Sequence, residues 1–196
     1  MRTFQRLREL GRLGRLSSIG VAALALVVVA PGSAAGEAES SFATAILRDA
    51  NGVTVGRVLL TSAGNTVIVA VNATGLPAGF HGFHVHAVGE CVPPFTTAGA
   101  HHNPGGANHG DHAGDLPVLL AQQSGTANTI TQTDRFTVAS LLDADGSAII
   151  VHAAPDNYAN IPTRYTSSTS GLPGPDAATL GTGDSGARIA CGVVTR

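Results

Sequence analysis

The sequence predicts an all-β domain, an antiparallel sandwich or barrel of about eight strands, behind a removable leader. Three observations carry this expectation. Short β-rich runs are separated by Gly, Asn, Asp and Pro, no segment beyond residue 36 has a convincing helical period, and the runs recur at the spacing of sandwich strands.

Residues 1–35 read as a secretory signal peptide. Arg2, Arg6, Arg8, Arg12 and Arg15 form a basic lead, Ile19 to Ala30 is an unbroken small-and-apolar run, and Ser33-Ala34-Ala35 is a small-residue cleavage site. The apolar run falls short of the ~20 residues that span a bilayer comfortably. Cleavage after Ala35 would place the chain outside the cytoplasm, secreted or in the cell envelope; an uncleaved N-terminal anchor is the alternative. The leader has no cysteine to carry a lipid and no Arg-Arg pair for twin-arginine export. Residues 36–41 then form a flexible N-terminal segment, and 42–196 one domain large enough for a proper core.

Within that domain Phe42–Leu47, the turn Asp49-Ala50-Asn51-Gly52 and Val53–Thr61 give a strong hairpin signal. Ala63-Gly64-Asn65 introduces a strand over Thr66–Val71, which Gly75-Leu76-Pro77-Ala78-Gly79 ends. Phe80–Val88 alternates histidine with apolar residues. Further strands are expected at Pro117–Gln122, Ala127–Gln132, Ser147–Val151 and Ala187–Val194. Two stretches, about 89–116 and 153–186, fit no strand. Loops of that length in a compact domain are usually functional or disordered.

All eight histidines lie between His81 and His152. Six of them form a pattern with Asp115: His84-x-His86, then His101, His109 and His112-x-x-Asp115, and finally His152. Imidazole suits copper and zinc, and one carboxylate among histidines is compatible with zinc. Period-two alternation sends His84 and His86 to one face of their strand and Phe83 and Val85 to the other. His152 follows the apolar run Ala148-Ile149-Ile150-Val151, so it sits at the end of a rigid strand. The remaining candidates share a Gly-rich loop that a metal could order. His81 is out of register with His84 and suits a hydrogen-bonded structural role, while His102, next to His101, points away. Cys91 and Cys191 are the two cysteines, and an even count in an exported chain favours a disulfide. It would close a loop of roughly 100 residues, worth about 4–5 kcal/mol on the chain-entropy model. Metal ligation is the alternative, but neither cysteine has a C-x-x-C partner.

The runs Gly82-Phe83-His84-Val85-His86, Ala98-Gly99-Ala100-His101-His102-Asn103-Pro104, His112-Ala113-Gly114-Asp115-Leu116, Val151-His152 and Gly186-Ala187-Arg188-Ile189-Ala190-Cys191-Gly192 resemble the secreted bacterial Cu,Zn superoxide dismutases. The likeness runs in order through most of residues 41–196. It implies a Greek-key β-sandwich or flattened barrel with two long functional loops, and dismutation of superoxide to dioxygen and hydrogen peroxide as an antioxidant defence outside the cytoplasm. It further implies copper on His84, His86, His101 and His152, and zinc on the shared His101 with His109, His112 and Asp115. Asp156 would accept hydrogen bonds from His84 and His109, Arg188 would attract and position the anion, and His101 would take part in proton transfer. Thr182 would stand at the channel mouth, and Cys91 would pair with Cys191. One departure stands out: His109 and His112 are three residues apart where the family has a longer excursion, which leaves Asp111 as a rival carboxylate for zinc.

Removing the leader leaves six basic residues against twelve acidic ones, a formal charge of −6. That balance lacks the basic stripe nucleic acid requires, and no stable membrane partner is expected after cleavage. A superoxide anion approaching such a surface needs a local positive focus, for which Arg188 is the candidate. Monomer and homodimer both remain open.

Overall fold

The computed structural model describes residues 41–196; the expected leader, its cleavage site and most of the flexible segment lie outside the described residues. Among the described residues nine strands form two sheets. The first three, β1 (Phe42–Asp49), β2 (Thr54–Ala63) and β3 (Thr66–Ala73), are consecutive antiparallel neighbours. Then come β4 (Gly79–His81), β5 (Phe83–His86), β6 (Leu119–Ala121), β7 (Ala127–Thr133), β8 (Ala148–His152) and β9 (Arg188–Thr195). The large antiparallel sheet has the order β5-β8-β9-β1-β2-β3-β7, while β4 and β6 pair separately. In it the last strand, β9, lies beside the first, β1, a non-consecutive pairing of the kind Greek-key sheets contain.

Alternation builds the core. Val58 and Leu60 of β2 and Val67, Val69 and Val71 of β3 point inward, and polar or partly exposed residues lie between them. Strands β5 and β8 differ, being buried on both faces throughout. Phe83, Val85, Ile149 and Val151 join the main core. The opposite face of β8 puts Ala148 and Ile150 into a second cluster with Phe95, Ala98 and Cys191. That second face is where the two long loops fold back.

The expected strand over 80–88 is two strands, because the chain changes partners at Gly82. Phe80 pairs with Leu120, whereas Phe83 pairs with Val151. At the switch Gly82 N–H donates to Ala154 O, and a Cβ there would stand 2.5 Å from Ser185 Oγ. The second loop also contains a short helix, α1 (Ala177–Thr182), where no helix was expected. Its Asp176 N-cap accepts from Ala178 N and Thr179 N, and Gly183, at φ 59°, ends it. A single turn made by its caps leaves no apolar period to read. Cys91 and Cys191 form the disulfide, joining the first loop to β9 across 100 residues.

Candidate metal centre

The first loop reaches the site by running alongside β5. His86 bridges to His101 and His84 to Asp115, while Val85 N–H donates to Gly114 O and His102 N–H to Val85 O. Gly114 lies against Val85 O so closely that no side chain fits. The loop's ligands are thereby brought over the β5 histidines, and His152 arrives from the end of β8.

Two groups of potential ligand atoms result. His84, His86, His101 and His152 form one and His101, His109, His112 and Asp115 the other, with the atoms of each group within 4.8 Å of one another. All seven residues are buried. His101 belongs to both.

In His84, His86 and His152 the outward ring nitrogen is engaged and the inward one is bare. His84 Nε2 donates to Asp156 Oδ2 at 2.7 Å, His86 Nδ1 to Gly99 O at 2.9 Å and His152 Nδ1 to Gly186 O at 3.1 Å. His84 Nδ1, His86 Nε2 and His152 Nε2 are buried with no hydrogen-bond partner. Outer hydrogen bonds of this kind fix the tautomer that leaves a lone pair for a metal. Burial holds these rings neutral. It lowers the pKa of His84, and, with help from neighbouring histidines and Arg188, pushes His86 down to about 2 and His152 to about 3.

The second group is organised by a carboxylate. Asp115 Oδ1 lies 2.9 Å from His101 Nδ1 and 3.3 Å from both His109 Nδ1 and His112 Nδ1. Asp115 Oδ2 accepts from Gly110 N at 2.8 Å and His112 N at 3.1 Å. With His101 Nδ1 turned this way, only its Nε2 is left for the first group. Burial alone would lower His109, but Asp115 and Asp156 on either side push it up to about 9. Burial would likewise raise the two carboxyls, yet their histidine partners hold both below the usual carboxylate range.

Asp156 joins the halves. It accepts from His84 Nε2, from His109 Nε2 at 2.8 Å and from Tyr158 N at 2.7 Å. The close grouping of His84, His109 and Asp156 is therefore a hydrogen-bonded link rather than a third ligand set. Gly183 is essential beside it, since a Cβ there would collide with Asp156 Oδ1 and His109 Nε2.

A channel opens over the shared ring, lined by His101, His152, Thr182, Asp184, Gly186 and Arg188. Arg188, first residue of β9, is held in place by Phe95 O and by Gly99 O at 2.6 Å. These two bonds leave part of its five-donor guanidinium for another acceptor. Thr182 is the exposed last residue of α1, and its Oγ1 donates to Ala178 O.

The structure brings His84, His86, His101, His109, His112, Asp115, His152, Asp156, Thr182 and Arg188 together here, and Cys91 and Cys191 into the disulfide. Asp111 is the exception that was left open: its side chain is 84 % exposed and faces Arg135, outside both ligand groups. His81 is a structural hydrogen-bonding residue, 2.7 Å from both His152 O and Pro77 O. Asp184 was not foreseen. It accepts from Asn157 Nδ2 and Thr179 Oγ1 across the second loop, and no short motif marks it.

Residues 54–194 match the family model for copper/zinc superoxide dismutase. A Cu-Zn superoxide dismutase of Mycolicibacterium paratuberculosis is 42 % identical over 141 residues, covering 66 % of this chain and 62 % of that protein. One from Caulobacter vibrioides is 33 % identical over 166 residues, covering 78 % of this chain and 84 % of its own. The chain thus spans about three fifths of the first relative's length and most of the second's. Among solved structures, a superoxide-dismutase-like protein from Bacillus subtilis, as a double mutant carrying two introduced histidines, superposes with a TM-score of 0.64. It is 31 % identical and covers 80 % of this chain and all of its own.

Proposed function

This chain belongs to the copper/zinc superoxide dismutase family, and from that premise we propose that it dismutes superoxide to dioxygen and hydrogen peroxide. The observation that carries the reading is the pair of ligand groups sharing His101, with buried bare nitrogens on His84, His86, His109 and His152. Copper fits the all-imidazole group and zinc the group holding Asp115. Copper, when bound, supplies the one-electron oxidation and reduction that turnover needs, while zinc has no redox chemistry.

The protein's own groups do the rest. Arg188 places a fixed positive charge at the inner wall of the channel, 2.6 Å from Gly99 O, which gives an anion a local focus on a net-negative surface. His101 lines the same channel with one ring nitrogen committed to the Asp115 side, so its other nitrogen, whenever no metal holds it, is the group placed to hold or give a proton near the bound anion. Asp156 keeps the rings of His84 and His109 in fixed orientations.

The test is superoxide decay by the copper- and zinc-loaded protein beside a His84→Ala variant. Rapid decay that falls to the spontaneous background in the variant, with its copper content lost, supports the reading. Full copper occupancy without activity in the unmodified protein would overturn it in favour of a copper-holding role.

Export, supported by the basic lead and apolar run of residues 1–35, completes the proposal: the enzyme acts in the envelope or beyond it. Sequencing the N-terminus of protein recovered outside the cytoplasm should find a start at Gly36. Recovery only from the cytoplasm with the leader intact would refute export.

A further inference from the structure

The short interval between His109 and His112 is held from outside the metal groups. Arg135 lies two residues past β7, and the residues after it, Phe136 and Val138, are buried in the main core. From that anchored base its Nη1 donates to Gly110 O at 2.8 Å and to His112 O at 3.2 Å. Its Nη2 lies 3.4 Å from Asp111 Oδ1. The N–H groups of the same two residues, Gly110 and His112, are held by Asp115 Oδ2. Their carbonyls and their amides are thus both fixed. Gly110 is further confined: at φ 91° its α-carbon presses toward Tyr158 O, 2.6 Å from where a Cβ would stand.

We propose that Arg135 is a positioning residue of the zinc half-site, a clip that ties the abbreviated 109–112 segment to the sheet and sets His109 and His112 around Asp115. The inference rests on the assignment of zinc to this group. A guanidinium suits the task because its planar fork reaches two acceptors at fixed angles, whereas an ammonium is a point charge. The Asp111 pair is not the working part: that carboxylate is 84 % exposed, and such surface pairs contribute little.

The experiment compares unmodified protein with Arg135→Met, Arg135→Lys and Asp111→Asn, loading each with zinc or with cobalt(II) as a coloured probe. Zinc retention against a competing chelator, cobalt visible absorption, copper uptake and metal-free melting temperature are read for each. Arg135→Met should lose about 10–100-fold in zinc affinity, the usual cost of removing an outer partner, with an altered cobalt spectrum and unchanged copper uptake. Arg135→Lys should recover part of the loss, and Asp111→Asn should bind as the unmodified protein does. Unchanged zinc affinity and cobalt spectrum in both arginine variants would overturn the clip alone. Failure of the unmodified protein to take up zinc or cobalt would overturn the zinc assignment, and the clip with it.

Discussion

His84, His86 and His152 are carried by β5 and β8, paired strands buried on both faces, whereas His109, His112 and Asp115 hang on a stretch of loop that makes no strand of its own. The first three are aimed by strand alternation and by outward hydrogen bonds to Asp156, Gly99 and Gly186. The loop ligands are aimed by charge and by clamps: a carboxylate at their centre, Arg135 along one edge and Tyr158 behind Gly110. One half is a rigid cage of neutral rings. The other gathers three rings around a carboxylate, where Asp115 and Asp156 together raise His109 to about 9. On the assignment proposed above, copper and zinc would therefore meet different surroundings, with His101 common to both groups.

Acid should expose this difference most strongly. Zinc ligands must be deprotonated, and His109, raised to about 9, holds a proton through the neutral range. Below about 9 zinc uptake should release that proton, and affinity should fall about tenfold per pH unit from this group alone. His86 and His152, at about 2 and 3, have no proton to release near neutrality. Zinc should thus leave before copper as the pH falls, as dialysis and metal analysis would register. Loss of copper first would break the distinction. In the metal-free protein the signs are opposite. The contribution of His109 to stability is complete below its unfolded value near 6.5 and is lost as pH rises through about 9. That of His86 and His152 is present above about 6.5 and is lost as pH falls toward 3.

Arg188→Ile should give the next largest effect, slowing superoxide decay by about tenfold or more through lost attraction and positioning. Both metals should stay bound, because the Arg188 guanidinium hydrogen-bonds to the carbonyls of Phe95 and Gly99 and to no ligand ring. Copper loss in that variant would show that the guanidinium holds the cage through Gly99, which also accepts from His86. Tyr158→Phe should be the mildest. Its hydroxyl accepts from Val118 N at 2.8 Å, and removing it should cost about 1 kcal/mol in thermal unfolding. Any change in metal retention should fall on zinc.

The same contrast explains what could be read from the chain. Period-two alternation is local, so the facing of His84 and His86 and the core role of Phe83 and Val85 follow from four residues. His152 after an apolar run is equally local. The break at Gly82 is not, because it depends on Ser185 and Ala154, far along the chain. Helix α1 is one capped turn with no apolar stripe. That Asp111 turns outward toward Arg135 is a contact across 24 residues that no motif announces. The strand-borne half was legible residue by residue, while the loop-borne half was legible as a ligand list without the contacts that hold it.

Diffraction from crystals of the loaded protein at wavelengths on either side of the copper and zinc edges tests the division of labour most directly. The account predicts copper among His84, His86, His101 and His152, and zinc among His101, His109, His112 and Asp115, with Asp111 free of metal. Either metal distributed over both groups, or zinc drawn to Asp111, would contradict it.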